Sequence, residues 1–207
     1  MQAFEEKMSQ GGELAIETAC LFFMKNNPVF SALQKISKRL HEQNIPYAIV
    51  GGMALVAHGY LRNTVDVDIL ITAEDLQKVH QFCVGLGYVP VFEGSKNLRD
   101  TEFGVRIEFL KTGDYPGDGK PKPVAFPHPE SCSFEINGIR YIQFSSLMEL
   151  KLASGMTNPG RIKDLADVQE FIKIQNLPNS FAEQLNPYVQ ATFLELWKAV
   201  DENSETN

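Results

Sequence analysis

Two aspartates separated by one valine, Asp66-Val67-Asp68, open a run of branched apolar residues, Ile69-Leu70-Ile71, that reads as a β-strand. In a strand, residues i and i+2 project from one face about 7 Å apart, so the two carboxylates can converge on a single cation. Mg²⁺ suits such a pair: it takes oxygen ligands, usually only one or two of them protein carboxylates, and leaves the rest of its octahedron to phosphate and water. Taken alone, the same three residues also describe a solvated strand face. Their setting adds information, because Gly51-Gly52 closes an apolar strand, Tyr47-Ala48-Ile49-Val50, and stands directly before a helix. Glycine lets backbone amides come close to a phosphate, and a helix N-terminus favours negative charge. A tight strand-to-helix turn is the plainer alternative.

The two signals combine as Gly51-Gly52, thirteen intervening residues, and Asp66-Val67-Asp68. In this combination the sequence resembles the polymerase-β-like nucleotidyltransferase superfamily. The match runs through Gly51-Gly52-Met53-Ala54, His58-Gly59, Arg62, Thr64, Asp66 and Asp68, and is similar to small bacterial nucleotidyltransferase-like proteins related to AbiEii-type toxins. A second matching segment lies downstream, where Leu147-Met148-Glu149-Leu150-Lys151-Leu152-Ala153-Ser154-Gly155 is followed by Arg161-Ile162-Lys163-Asp164-Leu165-Ala166-Asp167-Val168.

The resemblance implies a magnesium-dependent (or manganese-dependent) transfer of a nucleotidyl group from a nucleoside triphosphate such as ATP to a hydroxyl. Asp66 and Asp68 would hold the metal, together with a third carboxylate on a neighbouring strand. Glu108 best fills that third position, where aspartate is the commoner residue, and would also serve as general base; Glu102 is the alternative. The glycine pair and Lys151 would steady the nucleotide phosphates, with Asp164 nominated from the downstream run. The plain alternatives are a solvated helix position for Lys151 and, for Asp164 and Asp167, acids that complement a helix start. Arg62 and Thr64 either contact phosphate or support the turn before the metal strand, the second being favoured. His58, at a helix end, reads as a capping or packed residue. The acceptor is a protein side chain, an RNA end or a small hydroxylated molecule, and a partner protein in a toxin–antitoxin pair is compatible with the resemblance. The rival is a non-catalytic module that binds nucleotide or a partner on the same fold, supported by glutamate in place of aspartate at 108.

These residues need elements to hold them. Apolar spacing predicts helices at 12–24 and 28–43, separated at Asn27-Pro28, with Phe30, Leu33, Ile36 and Leu40 facing a core. After the strand at 47–50 come a short helix at 53–58, the strand at 65–71, and a helix from about Ala73 to Val84 capped by Thr72. Strands follow at 88–92, 97–101 and 105–110. Residues 111–129 are rich in glycine and proline, and this long loop, with Lys111, Tyr115, Lys120, Lys122 and Phe126, is a candidate acceptor-contact segment or a mobile connector. A hairpin at 132–142 turns at Asn137-Gly138. Helices then start at a Ser145 or Ser146 cap, running through Ala153, near Arg161, and at Pro187, the last extending to Val200. The expected organisation is a set of N-terminal helices over 1–44, a core over 45–143 and a helical region over 144–207. With the resemblance, the fold class is α+β, a mixed sheet flanked by helices.

Composition narrows the partners. A formal charge of −7, with 22% charged and 43% hydrophobic residues, fits an ordinary globular chain and argues against the broad basic surface that tight duplex nucleic-acid binding needs. The three cysteines, Cys20, Cys83 and Cys132, are widely spaced and odd in number, so buried thiols are expected rather than a disulfide framework or a zinc site. The first residues lack the basic start and apolar stretch of a secretory signal. The longest apolar run, 45–61, is broken by Pro46, the glycine pair and His58, so a cytoplasmic protein with no membrane partner is expected. Neither a glycine-flanked nucleophilic serine nor a Walker-type phosphate loop occurs.

Overall fold

The structure, a computed structural model, describes residues 27–204. The helix expected at 12–24 and Cys20 lie outside the described residues. The chain forms two compact units, one within Met1–Thr112 and Pro127–Ile142 and the other within Gly113–Phe126 and Gln143–Asn207. The glycine- and proline-rich stretch Gly113–Phe126 therefore groups with the C-terminal helices.

Among the described residues of the first unit, strands β1 (Ala48–Val50), β2 (Asp66–Ile71), β3 (Tyr88–Pro90), β4 (Leu98–Asp100), β5 (Arg106–Lys111), β6 (Ser133–Ile136) and β7 (Ile139–Ile142) make one sheet. Their order is β3-β4-β5-β2-β1-β7-β6. The pairs β2–β5 and β1–β7 are parallel and the remaining neighbours antiparallel. This is the mixed sheet of an α+β fold.

Helix α1 (Pro28–Glu42) starts where the Asn27 side chain accepts the Val29 N–H at 2.9 Å. Pro28 fills the first turn, where its missing N–H removes no helical bond. Val29, Ala32, Leu33, Ile36 and Leu40 form a buried stripe at helical spacing. They join Ile49, Val67, Ile69, Ile71, Ile107 and Phe109 in the core, with Phe30 only partly buried at its edge. Since side chains alternate across a strand, Val67, Ile69 and Ile71 of β2 and Ile107 and Phe109 of β5 occupy this core, and Asp66, Asp68, Arg106 and Glu108 emerge on the opposite face.

Helix α2 (Gly51–Ala57) begins directly at the first glycine, two residues before the apolar spacing suggests, because Gly51 adopts φ +59° and turns the chain at once out of β1. Helix α3 (Ala73–Cys83) is capped as expected: Thr72 Oγ1 accepts the Asp75 N–H at 3.0 Å. A short helix α4 (Pro129–Cys132) precedes the β6–β7 hairpin. The hairpin turns on Asn137 (φ 51°) and Gly138 (φ 77°), the left-handed pair that a two-residue loop requires.

In the second unit, α5 (Phe144–Thr157), α6 (Ile162–Ile174) and α7 (Pro187–Ser204) pack together. Helix α5 departs from expectation at both ends. Its N-cap is Gln143, which makes no side-chain capping bond, rather than Ser145 or Ser146. The Phe144 ring is anchored instead on Phe171 and Phe181, with centroids 5.0 and 5.6 Å away. The helix runs past Ala153 to Thr157, and Gly155 sits inside it, where a Cβ would meet Leu165 Cγ of α6 at 2.5 Å; the glycine permits close helix packing.

Within the same unit, the Gly113–Phe126 loop is closed by paired backbone bonds, Gly113 N–H to Phe126 O (2.9 Å) and Phe126 N–H to Asp114 O (2.8 Å). Gly117 (φ +78°) seats against the backbone of Ser154, and Asn158 Nδ2 donates to Gly117 O at 3.1 Å. Lys122 is a structural residue of this loop, its Nζ donating to Pro116 O at 2.6 Å and reaching Thr157 Oγ1 at 3.4 Å. The loop is thus a hydrogen-bonded element rather than a loose connector. Among the described residues, no helix is long and apolar enough to cross a membrane.

Candidate functional site

The register of the first unit sets three residues in one row across the sheet. Val50 of β1 pairs with Asp68 of β2, and Asp68 pairs in parallel with Glu108 of β5. One step back, Asp66 pairs with Arg106. Aligned residues of neighbouring strands point to the same side, so Asp66, Asp68, Glu108 and Arg106 share one face, all half-buried except the exposed Arg106.

The glycine pair lies against this face. A Cβ on Gly51 would collide with Asp68 Oδ2, so the carboxylate fills the space that a side chain would take. A Cβ on Gly52 would stand 2.7 Å from both Cβ and Oγ1 of Thr64. Thr64 Oγ1 is in turn 3.1 Å from Asp66 Oδ1 and 3.2 Å from the Asp66 carbonyl oxygen. Arg62 is half-buried in the segment between α2 and β2.

The acids are not equivalent. Glu108 Oε1 accepts from Arg106 Nε at 2.9 Å, a contact between neighbours on one face of β5. Arg106 is the site residue that the sequence reading passed over; its i, i+2 relation to Glu108 was the available signal. Glu102 is engaged elsewhere, with Lys35 Nζ 2.9 Å from its Oε2 and 2.8 Å from Asp100 Oδ2. Among the described residues, no three acidic, histidine or cysteine side chains form a ready metal cage. Asp66 and Asp68 nevertheless fit a Mg²⁺ that draws its remaining ligands from phosphate and water, which is the ion's usual habit.

His58 Nε2 lies 2.8 Å from Ile142 O and its ring stacks obliquely on Phe134 at 5.3 Å. Burial lowers its pKa, outweighing the backbone bond, as befits a packed neutral histidine. Cys83 and Cys132 are buried free thiols, and burial raises both pKa values to about 11.

The two downstream nominees meet in the second unit. Lys151 Nζ lies 2.6 Å from Asp167 Oδ2 and 3.1 Å from Asp164 Oδ1. Ser154 Oγ and Arg161 Nε reach Asp164 Oδ2 at 2.7 and 2.8 Å. Lys151, Asp164 and Asp167 are 7%, 2% and 3% exposed, so Lys151 is not the solvated helix position that its charge alone suggests. Burial by itself would raise the Asp164 pKa, but Lys151, Ser154 and Arg161 together hold it below the usual carboxylate range.

No family model matches the chain, and no curated protein sequence matches it. Solved structures do. A nucleotidyltransferase-like protein from Paracoccidioides brasiliensis is 19% identical with a TM-score of 0.44, over 70% of this chain and 73% of that one. The solution structure of the antibiotic-resistance factor ANT(2")-Ia is 14% identical with a TM-score of 0.46, over 85% and 94%. The crystal structure of ANT(2")-Ia in complex with adenylyl-2"-tobramycin is 16% identical with a TM-score of 0.53, over 79% of this chain and 95% of that one. That last likeness shows that the chain has the fold of ANT(2")-Ia.

Proposed function

We propose that this protein transfers a nucleotidyl group from a nucleoside triphosphate to a hydroxyl acceptor, with Asp66 and Asp68 as the metal-binding acids. The observation that carries the reading is the seating of the Asp68 carboxylate on the Gly51 bend, in one row with Glu108. It joins the two halves of the sequence motif at one place, on a fold shared with a protein crystallised with an adenylyl conjugate. Bound there, Mg²⁺ or Mn²⁺ would neutralise triphosphate charge. The backbone N–H groups of Gly51 and Gly52, at the start of α2, would donate to the phosphates, and Arg62 adds a cationic fork. Glu108, released from Arg106, takes the acceptor proton as the hydroxyl oxygen attacks the α-phosphorus and pyrophosphate leaves. The adenylyl conjugate of the structural neighbour favours a small hydroxylated acceptor; a protein side chain or RNA end is the other class, and a toxin–antitoxin setting fits either.

One observation favours a second reading. Glu108 is already held by Arg106, as suits a module that binds nucleotide without turning it over. The full-length chain incubated with each α-labelled triphosphate, Mg²⁺ and cell extract separates the two. Transfer of label, lost by on the order of 100-fold or more in Asp68→Asn, supports the enzyme; nucleotide binding without transfer supports the module.

A further inference from the structure

Each glycine of the Gly51-Gly52 pair answers to a different carboxylate. Gly51 makes room for Asp68 itself, whereas Gly52 makes room for Thr64, and it is Thr64 whose hydroxyl approaches Asp66. We infer that Thr64 is a positioning residue: its hydroxyl, wedged in the gap left by Gly52, orients the Asp66 carboxylate for the cation. This rests on the metal role proposed above for Asp66 and Asp68.

The geometry limits what Thr64 can do. A threonine hydroxyl has one hydrogen to donate, and its two acceptors within reach both belong to Asp66, Oδ1 at 3.1 Å and the carbonyl oxygen at 3.2 Å. A bond to Oδ1 leaves Oδ2 of Asp66 as the oxygen for the metal and fixes the rotation of the carboxylate. Partners of this kind, one bond removed from a metal, orient the ligand, and losing one typically weakens metal affinity by about 10- to 100-fold. Gly52 is then needed for the packing of a side chain twelve residues away, in addition to any approach of phosphate to its amide.

The test is Mn²⁺ affinity of the full-length protein, measured by calorimetry with the α,β-methylene analogue of ATP present. Thr64→Val keeps the shape and removes the hydroxyl; it is expected to weaken Mn²⁺ by about tenfold or more. Thr64→Ser keeps the hydroxyl and is expected to stay within about threefold of the unsubstituted protein. Circular dichroism and thermal melting check folding, and if Thr64→Val does not fold, Thr64→Ala is read in its place. Unchanged affinity in the hydroxyl-free variant, alongside weakened binding in Asp66→Asn, overturns the role of Thr64 and leaves the metal site standing. Weakened binding in a folded Thr64→Ser overturns it as well. If the unsubstituted protein takes up no Mn²⁺, or Asp66→Asn and Asp68→Asn bind it as well as the unsubstituted protein, the metal site itself fails and the role of Thr64 falls with it.

Discussion

The acidic face of the sheet and the buried charges of the helical unit use the same kinds of residue for opposite ends. In the second unit Lys151 and Arg161 meet Asp164 and Asp167 at 2.6–3.1 Å, with Asp164 further bonded to Ser154. Charge is matched, with Lys151 and both aspartates buried and Arg161 exposed. In the first unit Asp66, Asp68 and Glu108 share one half-buried face with Arg106, and acids outnumber the arginine. An ion cluster that is balanced and largely buried is committed to its own partners, and removing one of them is costly; one that is acidic and within reach of solvent suits a mobile cation. The contrast teaches that Lys151 and Asp68, both picked out by the same sequence resemblance, answer to different tests.

The largest effect should come from Lys151→Met. It leaves Asp164 and Asp167 buried without their shared cation, and breaking a buried pair in this way costs about 3–5 kcal/mol. Urea unfolding should therefore show a large drop in midpoint. A variant of normal stability that has lost nucleotide binding would instead assign Lys151 to the nucleotide and erase the contrast.

A smaller loss is expected for Gly51→Ala. A residue with a Cβ at φ +59° is strained, and this Cβ collides with Asp68, so a cost of about 1–3 kcal/mol follows. The same variant should weaken Mn²⁺ binding, because relief requires the Asp68 carboxylate to move. Normal metal affinity in a strained but folded Gly51→Ala would detach the glycine bend from the acidic face.

The mildest change is with pH. The Asp164 pKa is depressed in the folded state, so the stability it contributes is present above the unfolded value of about 4 and is lost as pH falls through the folded value. The His58 pKa is also lowered, so its contribution is complete above about 6.5 and declines below it. Each group adds at most about 1.4 kcal/mol per pH unit to the slope. Urea midpoints taken from pH 8 to pH 3 should thus bend twice, and His58→Phe should remove the upper bend alone. A single bend that survives in His58→Phe would contradict the neutral, packed histidine.

How much of this was legible depended on the range of the interaction. The Asp66-Val67-Asp68 strand, the Thr72 cap and the Asn137-Gly138 turn rest on local periodicity and turn chemistry, and they form where the sequence places them. The α+β class followed from the motif resemblance. Less visible was anything set by distant packing. The start of α5 depends on aromatic rings from residues 171 and 181, which no window around Phe144 contains. The burial of Lys151 left a faint trace, a lysine between Leu150 and Leu152 in a helix apolar on most sides. Arg106 was hidden for another reason: an exposed arginine on a strand is ordinary, and only the register with Asp66 and the reach to Glu108 single it out.

The Gly113–Phe126 loop carries one more implication, for how the polypeptide is made. It emerges from the ribosome before the hairpin of β6 and β7, yet the Ser154, Thr157 and Asn158 groups that fasten it belong to a helix and its C-cap synthesised later. The last strands of the sheet are therefore synthesised before the groups that anchor this excursion. Cutting the gene after Ile142 would not liberate a clean half, since the shortened product would display a proline-rich arm that keeps its internal bonds but has lost the Ser154, Thr157 and Asn158 groups that fasten it.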